Sequence, residues 1–594
     1  MTRLVSFPRR FLSFVLACLT AATPAFGQTA PPQDQSAATF QAESNLVLVP
    51  VVVADRSGKH ISGLQQSDFV VQDQGKEQKI VSFEEVKQAP GQMTKPQRPG
   101  EYTNAVDAGS ARGMTIIVLD QVNTPFLDQA YARAQLLKFL AQHINANEPT
   151  ALITVGRKGV RVIHDFTTET AVLLAALKRV SARTDNLTAS HATADTTVAT
   201  IGVGANAQSV MVETSALDAF YRGTDGSYGA FQLTQAIELT LSALMHLAIG
   251  MEGIPGRKSV IWATGGFPFT LTASGELASL RYNTAGATRS QLGGATAGGV
   301  LGSSGNLPPL PESTAASNDD IFANLRPQIQ RTMQALNKAQ IAIYPIDARG
   351  LVAYSSAASS RVRINDVYGT EAQTHITMNE IASVTGGTAY YNTNDITGAF
   401  DRATNESSQY YLLGYYAEKE KKPGWHKLKV NVSRPGVEVR ARTGYMSGVA
   451  VNAKKPDELR NLDIRGAIAS PLEYTGLPMR VYVDPAVAGA GNKKKVPFEI
   501  VAQPGASAID TSNKNHLQLD FLAIARDPQG EAAGQVAQKI ETNLADNQLK
   551  QVAAEGVNYK GVLQLPPGSY QLRFIVRDNL TGRIGSVVAP VQVQ

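Results

Sequence analysis

From residue 114 onward the chain repeats one pattern, a short apolar, β-branched run followed by apolar residues at helical spacing, and this alternation restricts the fold more than any other feature. The run 114–119 (MTIIVL) ends in Asp120, and behind it Leu127, Ala130, Tyr131, Ala134, Leu137 and Leu140 recur every three to four positions. A strand that is apolar at consecutive positions has both faces covered, the condition of a parallel sheet between helices. Further strands are predicted at 151–155, 160–163, 259–263, 341–346 and 388–391. Helices are predicted at 169–180, across Leu233, Ile237, Leu241, Leu244 and Ala248, and at 321–339 and 378–384. The reading is an α/β, Rossmann-type domain over 112–404. Two stretches, 181–229 and 267–319, are rich in Gly, Ser, Thr and Ala with weak periodicity, and are read as insertions.

The flanks change character. Residues 45–87 form a β unit: a continuous β-branched run at 45–54 (NLVLVPVVVA), a turn at Asp55-Arg56-Ser57-Gly58, and shorter strands at 69–72 and 80–83. Polar, Gly/Pro-rich sequence at 88–111 reads as a spacer. Strands return at 409–416, 425–432 and 437–442, and since a lone hairpin cannot bury a face, residues 405–447 are expected to pair with 45–87 in one β layer. From Leu459 the pattern is all β, and 455–594 is expected to be a β-sandwich of immunoglobulin-like size, with a tight turn at Pro566-Pro567-Gly568-Ser569.

Residues 1–27 read as an export signal, with Arg9-Arg10 before an apolar run and a small-residue site at Ala25-Phe26-Gly27. A Gln-, Ala- and Pro-rich linker follows at 28–44. The single cysteine, Cys18, lies in the leader: Val15-Leu16-Ala17-Cys18 is an imperfect match to the box at which bacterial lipoproteins are lipidated, so Cys18 is either a lipid anchor or a leader residue without a role. Either reading predicts a secreted, periplasmic or envelope protein, with no transmembrane span after signal removal. Net charge is +5, and the leader carries three of those arginines; the remainder is too weak to imply nucleic acid.

Six segments in order resemble the VWFA-related domain family abundant in acidobacterial genomes. They are Ile116-Ile117-Val118-Leu119-Asp120-Gln121-Val122-Asn123-Thr124-Pro125, Pro255-Gly256-Arg257-Lys258-Ser259-Val260-Ile261-Trp262, Tyr344-Pro345-Ile346-Asp347-Ala348-Arg349-Gly350, Thr385-Gly386-Gly387, Tyr411-Leu412-Leu413-Gly414-Tyr415 and Arg442-Thr443-Gly444-Tyr445. The resemblance spans about 45–447 and implies a von Willebrand factor A-like fold. Such domains hold a divalent cation at the carboxyl ends of their strands through a DxSxS motif, a loop Thr and a later Asp. On this chain the first carboxylate maps to Asp120, the first Ser position is Val122, the second is Thr124, and the later Asp position reads Thr264-Gly265-Gly266. The resemblance thus implies a degenerate site in which Asp120, Asn123 and Thr124, with a loop Thr such as Thr224, hold Mg2+ or another divalent cation; otherwise Asp120 and Thr124 cap the following helix.

Catalytic patterns are thin. No HExxH, GxSxG or phosphate loop occurs, and Asp319-Asp320 precede a helix, where acidic residues favour its N-terminus. The expectation is a non-enzymatic, adhesion-type module that engages a protein partner through Asp120, Thr124, Gly265 and Gly266; the alternative is an envelope scaffold whose C-terminal sandwich binds. The tyrosines at 410, 411, 415 and 416 read as a second binding face or as half core.

Overall fold

The chain is mixed α/β, with one largely parallel sheet, several antiparallel sheets and a β-rich C-terminal region. The computed structural model describes residues 46–56, 58–87, 98–105, 114–142, 149–180, 198–201, 208–211, 215–269, 318–350, 364–393, 395–417, 424–447 and 456–594. The expected leader 1–27, linker 28–44, Cys18 and most of the 267–319 insertion fall outside these residues.

The central sheet has five strands in the order Ile341–Asp347, Lys258–Thr264, Met114–Asp120, Thr150–Gly156, Gly159–Thr167. The first four are parallel and the last is an antiparallel edge. Side chains along a strand alternate between faces, and here both faces are buried. Ile116 and Val118 pack against the helices Ser215–Met251, Asn318–Lys338 and Ile364–Thr385, while Ile117 and Leu119 pack against Phe126–Gln142, Thr170–Lys178 and Ile396–Ser408. Val260 and Trp262 alternate with Ile261 and Ala263 in the same way. Burying a side chain of this size stabilises by about 1.5–3 kcal/mol, so the run of apolar residues is itself the force that holds the layers.

Residues 46–87 and 409–447 interleave, but as two facing four-stranded sheets rather than the single layer expected. Leu46–Ala54 pairs with Gln409–Tyr416 in one, and Phe69–Asp73 with Gly424–Val432 in the other. Their shared core includes Tyr411 and Tyr415; Tyr410 is also buried and only Tyr416 of the four expected tyrosines is exposed, which removes the tyrosine face.

Other expectations are corrected. The 181–229 stretch contains a hairpin, Val198–Ile201 with Gln208–Met211, and the first part of Ser215–Met251, one 37-residue helix; Thr224 therefore sits in a helix and not in a loop. Phe267 and Phe269, placed at the start of the second insertion, are core residues. The strand expected at 388–391 is a single parallel bridge, Ile346 to Tyr390. Within the expected spacer, Glu101–Thr103 adds a strand to the C-terminal region by pairing with Met479–Val483. That region is not all β: helices Pro456–Ala469 and Asp546–Glu555 accompany two five-stranded sheets facing across one core. Phe231–Met251 is long and apolar enough to cross a membrane by length and composition, and its Ile237, Leu241, Leu244 and Ala248 are buried against the central sheet.

The C-terminal region is docked by polar clamps. Thr475 Oγ1 donates to Gly250 O at 2.7 Å and accepts from Gly253 N at 2.9 Å, and Asp463 takes Arg331 on one side and Arg577 on the other. Glu473 is half-buried at this junction, accepting from Val588 N at 2.7 Å. Burial pushes its carboxyl up to about 7 from 4.5. The folded state therefore keeps a proton that the unfolded chain releases at lower pH, so this contribution is fully present below pH 4.5 and is lost as pH rises through 7. The loss amounts to at most about 3 kcal/mol. Glu473→Gln keeps the acceptor without the charge. It should raise the thermal midpoint at pH 8 and leave it unchanged at pH 4.5; equal shifts at both pH values would refute the assignment.

Candidate functional site

In an open α/β sheet the loops diverge at the point where strand order reverses, and ligands sit outside the carboxyl ends there. Here the chain runs from Met114–Asp120 to Thr150–Gly156 on one side and places Lys258–Thr264 on the other, so that point lies between Asp120 and Thr264. The strand ends bring together every residue expected of the site except Thr224.

Asp120 is a hydrogen-bond hub, 2% exposed. Oδ1 accepts from the backbone N–H of Val122 and Asn123, both at 2.9 Å, closing an Asx turn. Oδ2 accepts from Asn123 Nδ2 at 2.8 Å, Trp262 Nε1 at 3.0 Å and the Thr264 hydroxyl at 2.9 Å. Burial pushes the carboxyl up, opposed by the bonds from Asn123, Trp262 and Thr264. Every neighbour of its oxygens is a donor, the environment that an ionised carboxylate satisfies.

Asn123 Nδ2 also donates to Thr240 Oγ1 on the long helix at 2.9 Å, tying the loop to a second element. Thr124 Oγ1 accepts from Gly265 N at 3.0 Å. Gly265 is required by close approach, since a Cβ there would stand 2.6 Å from Asn123 O. Gly266 has φ +144° and a Cβ there would meet Thr374 Cγ2 at 2.8 Å. Asp120 and Thr124 thus do not cap the following helix; they lock two strand-end loops together.

This donor set does not fit a hard cation, which needs six or more oxygen ligands at one point. Asp120 faces N–H groups, the first Ser position is the buried Val122, and Thr124 is engaged by a backbone amide. Among the described residues no group of three or more His, Asp or Glu could hold a metal.

A second carboxylate at the rim was not singled out from the sequence. Asp347 ends its strand as Asp120 does, and Arg349 holds it through Nε at 2.9 Å and Nη2 at 2.7 Å. His375 Nε2 stands 3.6 Å from it and stacks on Tyr391 at 4.1 Å between centroids. Burial raises the Asp347 carboxyl, but its His375 and Arg349 neighbours outweigh that and hold it below the usual range. The available signal was the same one that marked Asp120: an acidic residue closing an apolar strand. Trp262, Thr264 and Thr240 carried no such signal, because their role depends on tertiary contact.

The recess at this rim, lined by Asp120, Thr124, Gln129, Arg133 and Ala348 among others, measures about 20 Å³. That is room for about one or two waters. On the segments that follow Thr124 and His375, apolar side chains stand in solvent: Phe126 is 47%, Leu127 78% and Ile376 54% exposed.

No protein-family model matches the chain, and no curated protein matches it. Among solved structures, a β-glucuronidase from glycoside hydrolase family 2 overlaps at TM-score 0.14 and 9% identity, covering 19% of this chain and 11% of that enzyme. The Bacteroides uniformis β-glucuronidase overlaps at TM-score 0.14 and 9% identity, covering 19% of this chain and 13% of the other. The TFIIH p34 N-terminal domain overlaps at TM-score 0.19 and 12% identity, covering 50% of this chain and 97% of that domain. The chain thus spans only a small part of either glucuronidase, and overlaps at these scores carry no assignment.

Proposed function

We propose that this chain is a non-catalytic, exported binding protein whose α/β domain is von Willebrand factor A-like and whose strand-end rim contacts a protein partner without a bridging cation. One observation carries the reading: the rim combines exposed Phe126, Leu127 and Ile376 with a recess of only about 20 Å³. A small-molecule site buries its ligand in a cavity of several hundred Å³, whereas exposed apolar side chains around a rigid polar centre suit a macromolecular surface. The internally satisfied Asp120 supports a rim held rigid by hydrogen bonds. In this reading residues 1–27 direct export to the envelope or beyond, and the C-terminal region, of immunoglobulin-like size, acts as a spacer.

The scaffold reading places binding on the C-terminal sheets, where Val487 and Val562 are 51% and 43% exposed. A leaderless chain has no cysteine, so Leu127→Cys, Ile376→Cys and Val562→Cys each carry one photo-crosslinker. Incubated with envelope fractions, the Leu127 and Ile376 probes should yield an adduct of the same mass, with none from Val562. An adduct from Val562 alone would transfer the function to the sandwich and end the rim proposal.

A further inference from the structure

At the opposite end of the central sheet two buried arginines line the same small recess, and neither pairs with a carboxylate among the described residues. Arg257 is 2% exposed; its Nη2 donates to Tyr344 Oη at 2.7 Å and Gly386 O at 2.6 Å. Arg442 is 8% exposed; its Nη2 donates to Leu48 O at 2.8 Å and its Nη1 faces Asn337 Oδ1 at 3.4 Å. Neither has an acidic partner among the described residues. Both line one small recess of about 10 Å³, which also receives Asn337 and Gln340 from the end of Asn318–Lys338 and the turn after it.

The polar atoms in that cavity are unsatisfied. Arg257 Nε, Arg442 Nε and Asn337 Nδ2 are buried donors with no partner, and Gln340 Oε1 is a buried acceptor with none. Half a turn of the Gln340 amide replaces that acceptor with a further donor, since its oxygen and nitrogen occupy equivalent positions. Buried polar groups are ordinarily paired, and a buried charge left unpaired is among the most costly arrangements in a protein. Three or four donors, two of them on cations, around a space for one water-sized occupant describe a receptor for a single small anion. Nothing else lining the recess supplies negative charge: Thr385 Oγ1 is engaged by Ile381 O and Ile343 N and the remaining walls are backbone or apolar. Burial also pulls the Arg442 guanidinium down to about 10, as expected of a cation with no counter-charge.

We propose that the cavity between Arg257 and Arg442 binds a small monovalent inorganic anion of the halide class, which joins the central α/β sheet to the flanking β sheets. Arg257 immediately precedes the central strand Lys258–Thr264 and Arg442 follows Glu438–Ala441 of the β unit, so the anion would bridge the two layers.

The test uses the whole exported chain, with bromide as the probe. At constant ionic strength, replacing gluconate by bromide should raise the thermal midpoint saturably by about 3 °C, and crystals grown in bromide should show an anomalous peak in the recess that Arg257 and Arg442 line. Asn337→Asp places a carboxylate in the cavity. It should raise the midpoint in gluconate and abolish the bromide response. A water in place of the bromide peak, identical midpoints in both salts, or a response that survives in Asn337→Asp would each overturn the proposal.

Discussion

Replacing Asp120 by alanine is expected to destabilise the chain by about 4 kcal/mol, with no change in any response to divalent cations. The magnitude follows from what is stranded. Val122 N–H, Asn123 N–H and Trp262 Nε1–H lose their acceptor in a site that is 2% exposed, while Asn123 Nδ2 keeps Thr240 and the Thr264 hydroxyl keeps Gly266 O. Each buried donor left unmade costs roughly 1–3 kcal/mol, so three stranded together set a scale of about 4 kcal/mol. Asp120→Asn should fall between, because its Oδ1 preserves the Asx turn while its amide opposes Trp262 or Thr264. Chemical denaturation gives the free energies. Trp262 is one of two tryptophans, so its indole N–H resonance reports the hub directly. A cation site predicts the reverse pattern: magnesium, manganese or calcium would raise the midpoint of the native chain, and alanine would abolish that rise while sparing stability in chelator. That outcome would restore Asp120, Asn123 and Thr124 as ligands and remove the cation-free rim.

The same hub shows why some of the molecule was legible in the sequence and some was not. Strands at 114–120, 258–264 and 341–347 were readable because burial on both faces leaves no room for polar residues. Their carboxyl ends follow from chain direction, which is enough to bring Asp120 and Gly265 to one rim. The long helix was cut short because Gly223, Gly226 and Gly229 dilute its periodicity, although the backbone is helical from Ser215 to Met251. Glu101–Thr103 is a strand because Arg480–Tyr482 lies beside it, a partner nearly 380 residues away that no local pattern encodes. Helix Pro456–Ala469 is a different case: Pro456 at its first position and Asp457-Glu458 in the first turn are start signals that were present and outweighed by the β pattern after them. What the rim does chemically was least legible, since a carboxylate at a strand end suits a cation or a ring of N–H donors equally. Only Trp262 and Asn123 decide between them, and their orientation is a property of the assembled core.

The second large effect is expected at Gly387, where alanine should cost about 4 kcal/mol although the residue belongs to no helix or strand. Ile341–Asp347 is the open edge of the central sheet, and the segment after helix Ile364–Thr385 lies along it. Thr385 Oγ1 accepts from Ile343 N at 3.0 Å, and Tyr390 N donates to Pro345 O at 2.8 Å while Asp347 N donates to Tyr390 O at 2.8 Å. This covering satisfies an edge that would otherwise present free backbone groups. It works because Gly387 touches the strand: a Cβ there would stand 2.0 Å from Ile343 O and 2.7 Å from its carbonyl carbon. Backbone on both sides leaves no flexible side chain to yield, so the methyl must pry the segment from the edge. Two neighbours supply the scale. Gly386 has φ +83° and a Cβ 3.0 Å from Arg442 N, so alanine there meets mainly backbone strain of about 1–2 kcal/mol. Gly424 has nothing within 4 Å of its Cβ position, and alanine there should be nearly neutral. Equilibrium unfolding of the three variants should rank Gly387→Ala far above Gly386→Ala, with Gly424→Ala last. Were Gly387→Ala as mild as Gly424→Ala, the segment would not be seated on Ile343, and the edge of the sheet that carries Asp347 to the rim would lie open.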